Sequence, residues 1–188
     1  MPFLALENVL DERTLGQLLS YAQHEQRRFR PVRVVHRGDV GGALVEGEAL
    51  VLDNAEDARR ALEQPLRQAL LAPARQAGVD LTHARLADIS LVALGDQQSY
   101  LNAAEGPSHE ELRFALFFWR APRAFAGGEL RVRLTERTGS PLPERHGEPR
   151  RNGLLLLAAP LYLEISRVNN RSREFQDGLF VLFGRFKP

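Results

Sequence analysis

Five histidines are the side chains of this chain best suited to proton transfer or metal ligation near neutral pH: His24, His36, His83, His109 and His146. His109 lies in Ser108-His-Glu-Glu111, where it could share a cation with Glu110 or Glu111. His24 falls in a helical segment and His146 in a polar loop. Solvated loop residues are the plainer reading of the His109 cluster, since histidine and carboxylate side chains are mostly exposed. Ser99 and Ser166 have no patterned histidine or carboxylate partner, so nucleophilic catalysis finds little support. The chain has no cysteine, which removes thiolate nucleophiles, disulfides and cysteine metal sites together. It also lacks a phosphate loop and a glycine-rich dinucleotide fingerprint.

These residues need elements to position them. A chain of 188 residues suits one domain with a full core. Asp11 can cap a helix running to about Arg28, with Leu15, Leu18, Leu19 and Ala22 on one face. Phe29 to His36 reads as a strand ending at the turn Arg37-Gly38-Asp39, and Ala43 to Leu52 as a second extended segment. Asn54, with Asp57 three residues on, opens a helix from about Ala55 to Ala77. Pro65 and Pro73 inside it predict a kink or two shorter helices.

The texture then changes. Ala84 to Leu94, Leu112 to Trp119, Glu129 to Leu134, Gly153 to Ala158, Tyr162 to Val168 and Gly178 to Phe186 are short strand-like runs separated by turn signals. Thr135 to Arg151, with three prolines and two glycines, predicts a long polar mobile loop. The pattern is that of an α+β domain: a helical part over 1–80 and a sandwich or barrel of strands over 84–188.

A net charge of +1 gives no electrostatic footprint for nucleic acid. The longest apolar stretch, Leu154 to Leu163, is far below a membrane span, and the N-terminus has no basic region typical of a signal peptide. A cytoplasmic protein with neither nucleic-acid nor membrane partners is the expectation. Phe117, Phe118 and Trp119, and Phe180, Phe183 and Phe186, form two aromatic groups. They read as core, with a homodimer interface as the other possibility.

The stretch Arg120-Ala-Pro-Arg-Ala-Phe-Ala-Gly-Gly-Glu-Leu-Arg131 resembles the middle of prolyl 4-hydroxylase-like 2-oxoglutarate/iron(II) oxygenases, where a strand ends in a proline turn and restarts at Gly-Gly-Glu-Leu. Its neighbours are similar to the same family. Leu94-Gly95-Asp96 looks like the turn before the first metal-binding strand. Asn152-Gly-Leu-Leu-Leu-Leu-Ala-Ala-Pro160 looks like the strand before the distal histidine, and Phe175-Gln-Asp-Gly-Leu-Phe-Val-Leu-Phe-Gly184 like the closing strand. The resemblance implies a double-stranded β-helix, or jelly roll, of about eight strands, with the N-terminal helices packed on one sheet.

It also implies an iron site built from a His-x-Asp pair and a distal histidine, together with a 2-oxoglutarate-binding arginine. Counted along this chain, the pair falls at Leu101-Asn102-Ala103, the distal histidine at Leu163 and the arginine near Leu179. A tyrosine common in the family falls at Leu116 or Phe117. Leucine and alanine offer no lone pair to a metal, and a dicarboxylate in the barrel would be a buried unpaired charge. The expected cofactors are therefore none.

Around the expected pocket stand Tyr100, Asn102, Tyr162, Glu164 and Arg185. Alternation favours turning these outward, with Leu101, Ala103, Leu163 and Ile165 inward. The functional alternative makes Tyr100 and Tyr162 walls of a small-molecule or peptide groove, lined further by Leu101, Ala103, Leu116, Phe117, Leu163 and Leu179. The implied function is a catalytically degenerate relative serving as a binding or scaffold subunit for a protein or small-molecule partner. Two alternatives stay open: a metal-independent enzyme using an apolar barrel pocket, and an oxygenase with a non-standard ligand set around His109.

Overall fold

Asp11 starts the first helix. Its backbone is extended (φ −69°, ψ 157°), and its carboxylate accepts the Thr14 N–H at 2.8 Å, which satisfies one of the donors a helix start leaves free. The computed structural model describes residues 3–37, 44–76, 78–103, 112–134, 145–157 and 161–187. It opens with β1 (Phe3–Leu6), α1 (Glu12–His24), a 3-10 turn, β2 (Arg30–Arg37), β3 (Leu44–Asp53) and α2 (Glu56–Gln76). Then follow β4 (Arg85–Leu94), β5 (Tyr100–Ala103), β6 (Leu112–Phe118), β7 (Ala126–Gly127), β8 (Leu130–Leu134) and β9 (Arg145–Gly147). The chain closes with β10 (Gly153–Leu157), β11 (Leu161–Ile165), β12 (Val168–Asn169) and β13 (Leu179–Lys187).

Two antiparallel sheets carry the fold. The larger runs β1-β10-β6-β13-β4-β3-β2 and the smaller β5-β11-β8-β9. From β4 onward eight strands pass between the sheets: β4, β6, β10 and β13 in the larger, and β5, β8, β9 and β11 in the smaller. That winding is the jelly roll expected from the sequence. β1 and the β2–β3 hairpin widen the larger sheet at its edges.

The larger sheet has a core on each face. Outward-facing Phe114, Leu116, Phe118, Phe180 and Leu182 pack with Leu15 and Leu18 of α1 and with Leu62, Leu66 and Leu70 of α2. Inward-facing Phe117, Trp119, Val181 and Phe183 pack with Leu130, Val132, Leu163 and Ile165 of the smaller sheet. Both aromatic groups are thus covered within the chain, each buried aliphatic or aromatic side chain contributing about 1.5–3 kcal/mol.

α2 is a single helix, so of the kink or two shorter helices expected at its prolines the second does not occur. Ala58, Leu62, Leu66, Leu70 and Ala74 form an unbroken buried stripe at four-residue spacing, and the Glu63–Arg67 pair at 2.9 Å straddles Pro65. Ala55, whose carbonyl accepts the Arg59 N–H at 2.8 Å, stands at the cap position, one residue after Asn54, whose φ is 52°. The polar segment over 135–151 is also corrected in part. Arg145–Gly147 form β9 on the edge of the smaller sheet, and Pro149 is buried, while 135–144 lie outside the described residues. The turn at 37–39 extends beyond the described residues too. Among the described residues no helix is long and apolar enough to cross a membrane.

Candidate functional site

The register fixes which side chains enter the space between the sheets, because directly paired residues in antiparallel strands share a face. On the larger sheet the deep row is Phe117, Val181, Val92 and Val51. The next row is Ala115, Phe183, Ser90 and Asp53, and the rim row is Leu157, Arg113, Arg185 and Asp88. On the smaller sheet the inward rows are Tyr100, Ile165 and Leu130, then Asn102, Leu163 and Val132.

Leu163 and Leu179 are fully buried in the inner cluster, and Phe117 joins them at 2% exposure. Tyr100 is half-buried against the same cluster, its ring 5.4 Å from that of Phe183. Three expected lining residues point elsewhere. Leu116 packs in the helix-facing core, one residue out of phase with Phe117. Leu101 pairs with Glu164, and Tyr162 with Arg133, so both take the opposite face from Leu163.

The expected alternation on β5 is therefore reversed: Tyr100 and Asn102 are the inward positions and Leu101 is not. Counting from the Gly95 turn misses this phase by one residue. Ala103 pairs with Tyr162, and its side chain lies outside the described residues, as do those of His36 and of His109 and its acidic neighbours. His24, His83 and His146 are exposed. Among the described residues no three His, Asp or Glu side chains converge as a metal set.

The iron and 2-oxoglutarate that this fold implies do not fit the described residues. The inward positions at or next to those counted for the ligands offer a phenol at Tyr100, an amide at Asn102 and a leucine at Leu163. Leu179, near the position counted for the arginine, is buried hydrocarbon. A dicarboxylate there would meet Phe117, Val181 and Leu179, with no cation beside them in that cluster among the described residues.

Space opens instead at the rim. A cavity of about 530 Å³ lies where β5 and β13 end, bounded by Asp53, Asp88, Ser90, Asn102, Arg113 and Arg185 over an apolar floor of Leu157 and Phe183. Arg185 donates to Asp88 across the strand pair. Burial and, secondarily, the charge of Asp53 raise the Tyr100 phenol above its ordinary value. Asn102 and Arg185 were expected beside the pocket; Asp53, Asp88 and Arg113 were missed. Each is a charged residue in phase with the buried face of its own strand, and that phase is the signal that could have found them.

The opposite end is closed by a polar network. Asp177, nearly buried, accepts from Arg120 and from Ser172, the latter at 2.8 Å. Asn170, fully buried, donates its backbone N–H to Asp96 at 3.1 Å and its amide to the Glu174 carbonyl at 3.0 Å.

Solved structures share this architecture. The chain aligns over 98% of its length with 84% of a 2OG-Fe(II) oxygenase family oxidoreductase from Burkholderia pseudomallei, at TM-score 0.61 and 14% identity. A prolyl-4-hydroxylase from Pseudomonas putida aligns over all of this chain and 93% of its own, at TM-score 0.60 and 14% identity. The non-heme alpha ketoglutarate dependent epimerase SnoN from nogalamycin biosynthesis gives TM-score 0.64 and 13% identity, over 99% of this chain and 76% of its own. No protein-family model and no curated protein sequence matches the chain. The fold is the double-stranded β-helix of the 2-oxoglutarate/iron(II) oxygenases, prolyl hydroxylases among them.

Proposed function

We propose that this chain is a catalytically degenerate oxygenase-like protein, a binding subunit that does not run iron-dependent hydroxylation. The observation that carries this reading is the packed interior: Leu163, Leu179, Phe117 and Val181 occupy the deep barrel as one buried cluster. Converting that volume into a metal and keto-acid site would require removing hydrocarbon and adding at least three ligands and a cation. The same packing leaves no observation in favour of a deep apolar substrate pocket. Among the described residues an open volume lies at the rim, where its lining is mixed and charged.

Anaerobic calorimetric titration with iron(II) and 2-oxoglutarate, separately and together, tests this. No saturable heat is expected up to millimolar ligand. Saturable micromolar binding of both would overturn the reading.

A further inference from the structure

The two edges of the seven-stranded sheet are built differently. β2 forms one edge, and its sequence carries Arg30, Pro31, Arg33 and Arg37. Charges and proline on an outer strand are the devices that stop a sheet from adding another strand. Among the described residues β1 forms the other edge as Phe3-Leu4-Ala5-Leu6, with neither a charge nor a proline. Alternate residues of an outer strand turn their N–H and C=O groups away from its one neighbour. β1 therefore presents unguarded hydrogen-bonding groups beside apolar side chains.

Those side chains leave both cores open at this edge. Phe3 packs against the barrel cluster, and Leu4 and Leu6 against the helix-facing cluster, yet all three are only half-buried. Ala5 is exposed. An apolar strand laid along β1 would cover Phe3, Leu4 and Leu6 together and extend each core outward.

β1 of a second copy matches that edge. A two-fold axis perpendicular to the sheet pairs β1 antiparallel with itself and keeps the helix layers of both copies on one side. Directly opposite residues then share a face, so odd-numbered positions meet odd-numbered ones and even meet even. Centred on Ala5, the pairing sets Ala5 against Ala5, Leu4 against Leu6 and Phe3 against Glu7 of the other copy. The smallest side chain of the strand then lies on the axis, and leucine packs on leucine over the helix-facing core. Centring on Leu4 would instead set Leu6 against Pro2, which has no N–H to share.

The charges select the same register. Arg145 on β9 is exposed and holds its guanidinium 5.7 Å from the centre of the Phe3 ring. Glu7 is exposed, 3.0 Å from Arg150, and its position has the phase of Phe3. In the pairing centred on Ala5 each Glu7 arrives opposite the other copy's Phe3, about 4.5–5.5 Å away between backbones, within reach of the long Arg145 side chain. The contact forms twice, once on each side of the axis.

We propose that the chain forms a two-fold homodimer through β1, which joins the larger sheets of two copies into one. A four-residue pairing is a small interface, so the association is reversible rather than obligate. It holds whether or not the barrel binds iron. Sedimentation equilibrium on the full chain, from micromolar to millimolar protein, tests it, with a monomer–dimer equilibrium expected. Ala5→Lys puts like charges on the axis at an exposed position and should raise the dissociation constant about fivefold or more. Glu7→Lys and Arg145→Glu should each weaken the dimer, and the double variant should dimerise more tightly than either single one. A thermal melt verifies that every variant is folded. A monomer throughout the range, a dimer indifferent to Ala5→Lys, or a double variant no tighter than the single ones would each overturn the proposal.

Discussion

A histidine introduced at Leu163 would face Asn102 on one neighbouring strand and Val132 on the other, with no solvent exposure. Its ring would lose the leucine's packing and leave at least one nitrogen without a partner, so Leu163→His should lower unfolding stability by about 2–5 kcal/mol. Urea unfolding with and without nickel(II) checks this, and the metal should not restore the loss. Tyr100 makes a prediction in the alkaline range. Its folded pKa is raised above 10.0, first by burial and then by Asp53, so the fold favours the neutral phenol. That contribution is complete below about pH 10 and is lost as pH rises through the higher folded value. The stability profile should fall on that limb, and Tyr100→Phe should flatten it. Asn152, buried with φ 59°, accepts the Leu10 N–H at 2.9 Å and donates to the Leu10 carbonyl at 2.6 Å. Asn152→Ala removes both bonds and leaves buried backbone groups unpaired, a loss of about 1–3 kcal/mol for each unsatisfied group, measurable by denaturant melts.

At the level of the element, the turn between β7 and β8 is the most constrained joint. Gly127 has φ 77°, and a Cβ there would lie 2.2 Å from the Arg167 carbonyl oxygen, across the β7–β12 pair. Gly127→Ala should therefore destabilise by about 1–3 kcal/mol or more, seen as a lowered melting temperature with no new helix or strand content. This joint was legible in the sequence, since adjacent glycines before Glu129-Leu130 ask for a turn and a new strand. So were α1, through Asp11 and its leucine spacing, and six strands of the jelly roll, through their β-branched and aromatic runs. Short elements were not. β1, β7, β9 and β12 have two to four residues each and take their pairing from long-range neighbours such as Leu157 and Leu130. The phase of β5 was misjudged for the same reason. Four residues with polar and apolar side chains on alternate positions do not say which face is inner, and pairing with β11 decides it. The rim charges were hidden because Asp53, Asp88 and Arg113 lie far apart in the chain and meet only through strand register.

For the whole molecule, the two cores share one sheet. β6, β10, β13 and β4 each send alternate residues to the helix layer and to the barrel interior, so neither core can dissolve while the other keeps its wall. Thermal unfolding should be a single transition. Fluorescence of Trp119, the only tryptophan and a member of the inner cluster, should lose its native signal at the same midpoint as the helical far-UV signal of α1 and α2. Two separated midpoints would show that the layers unfold independently. The shared wall also makes the protein its own two-channel reporter. Phe117 and Phe118 are chain neighbours, yet one ring looks into the barrel and the other onto the helices. With fluorinated phenylalanine at Phe183 and Phe180, three residues apart on β13, a molecule settling at the barrel mouth should move the first resonance and leave the second in place. A guest lodging between the helices would do the reverse.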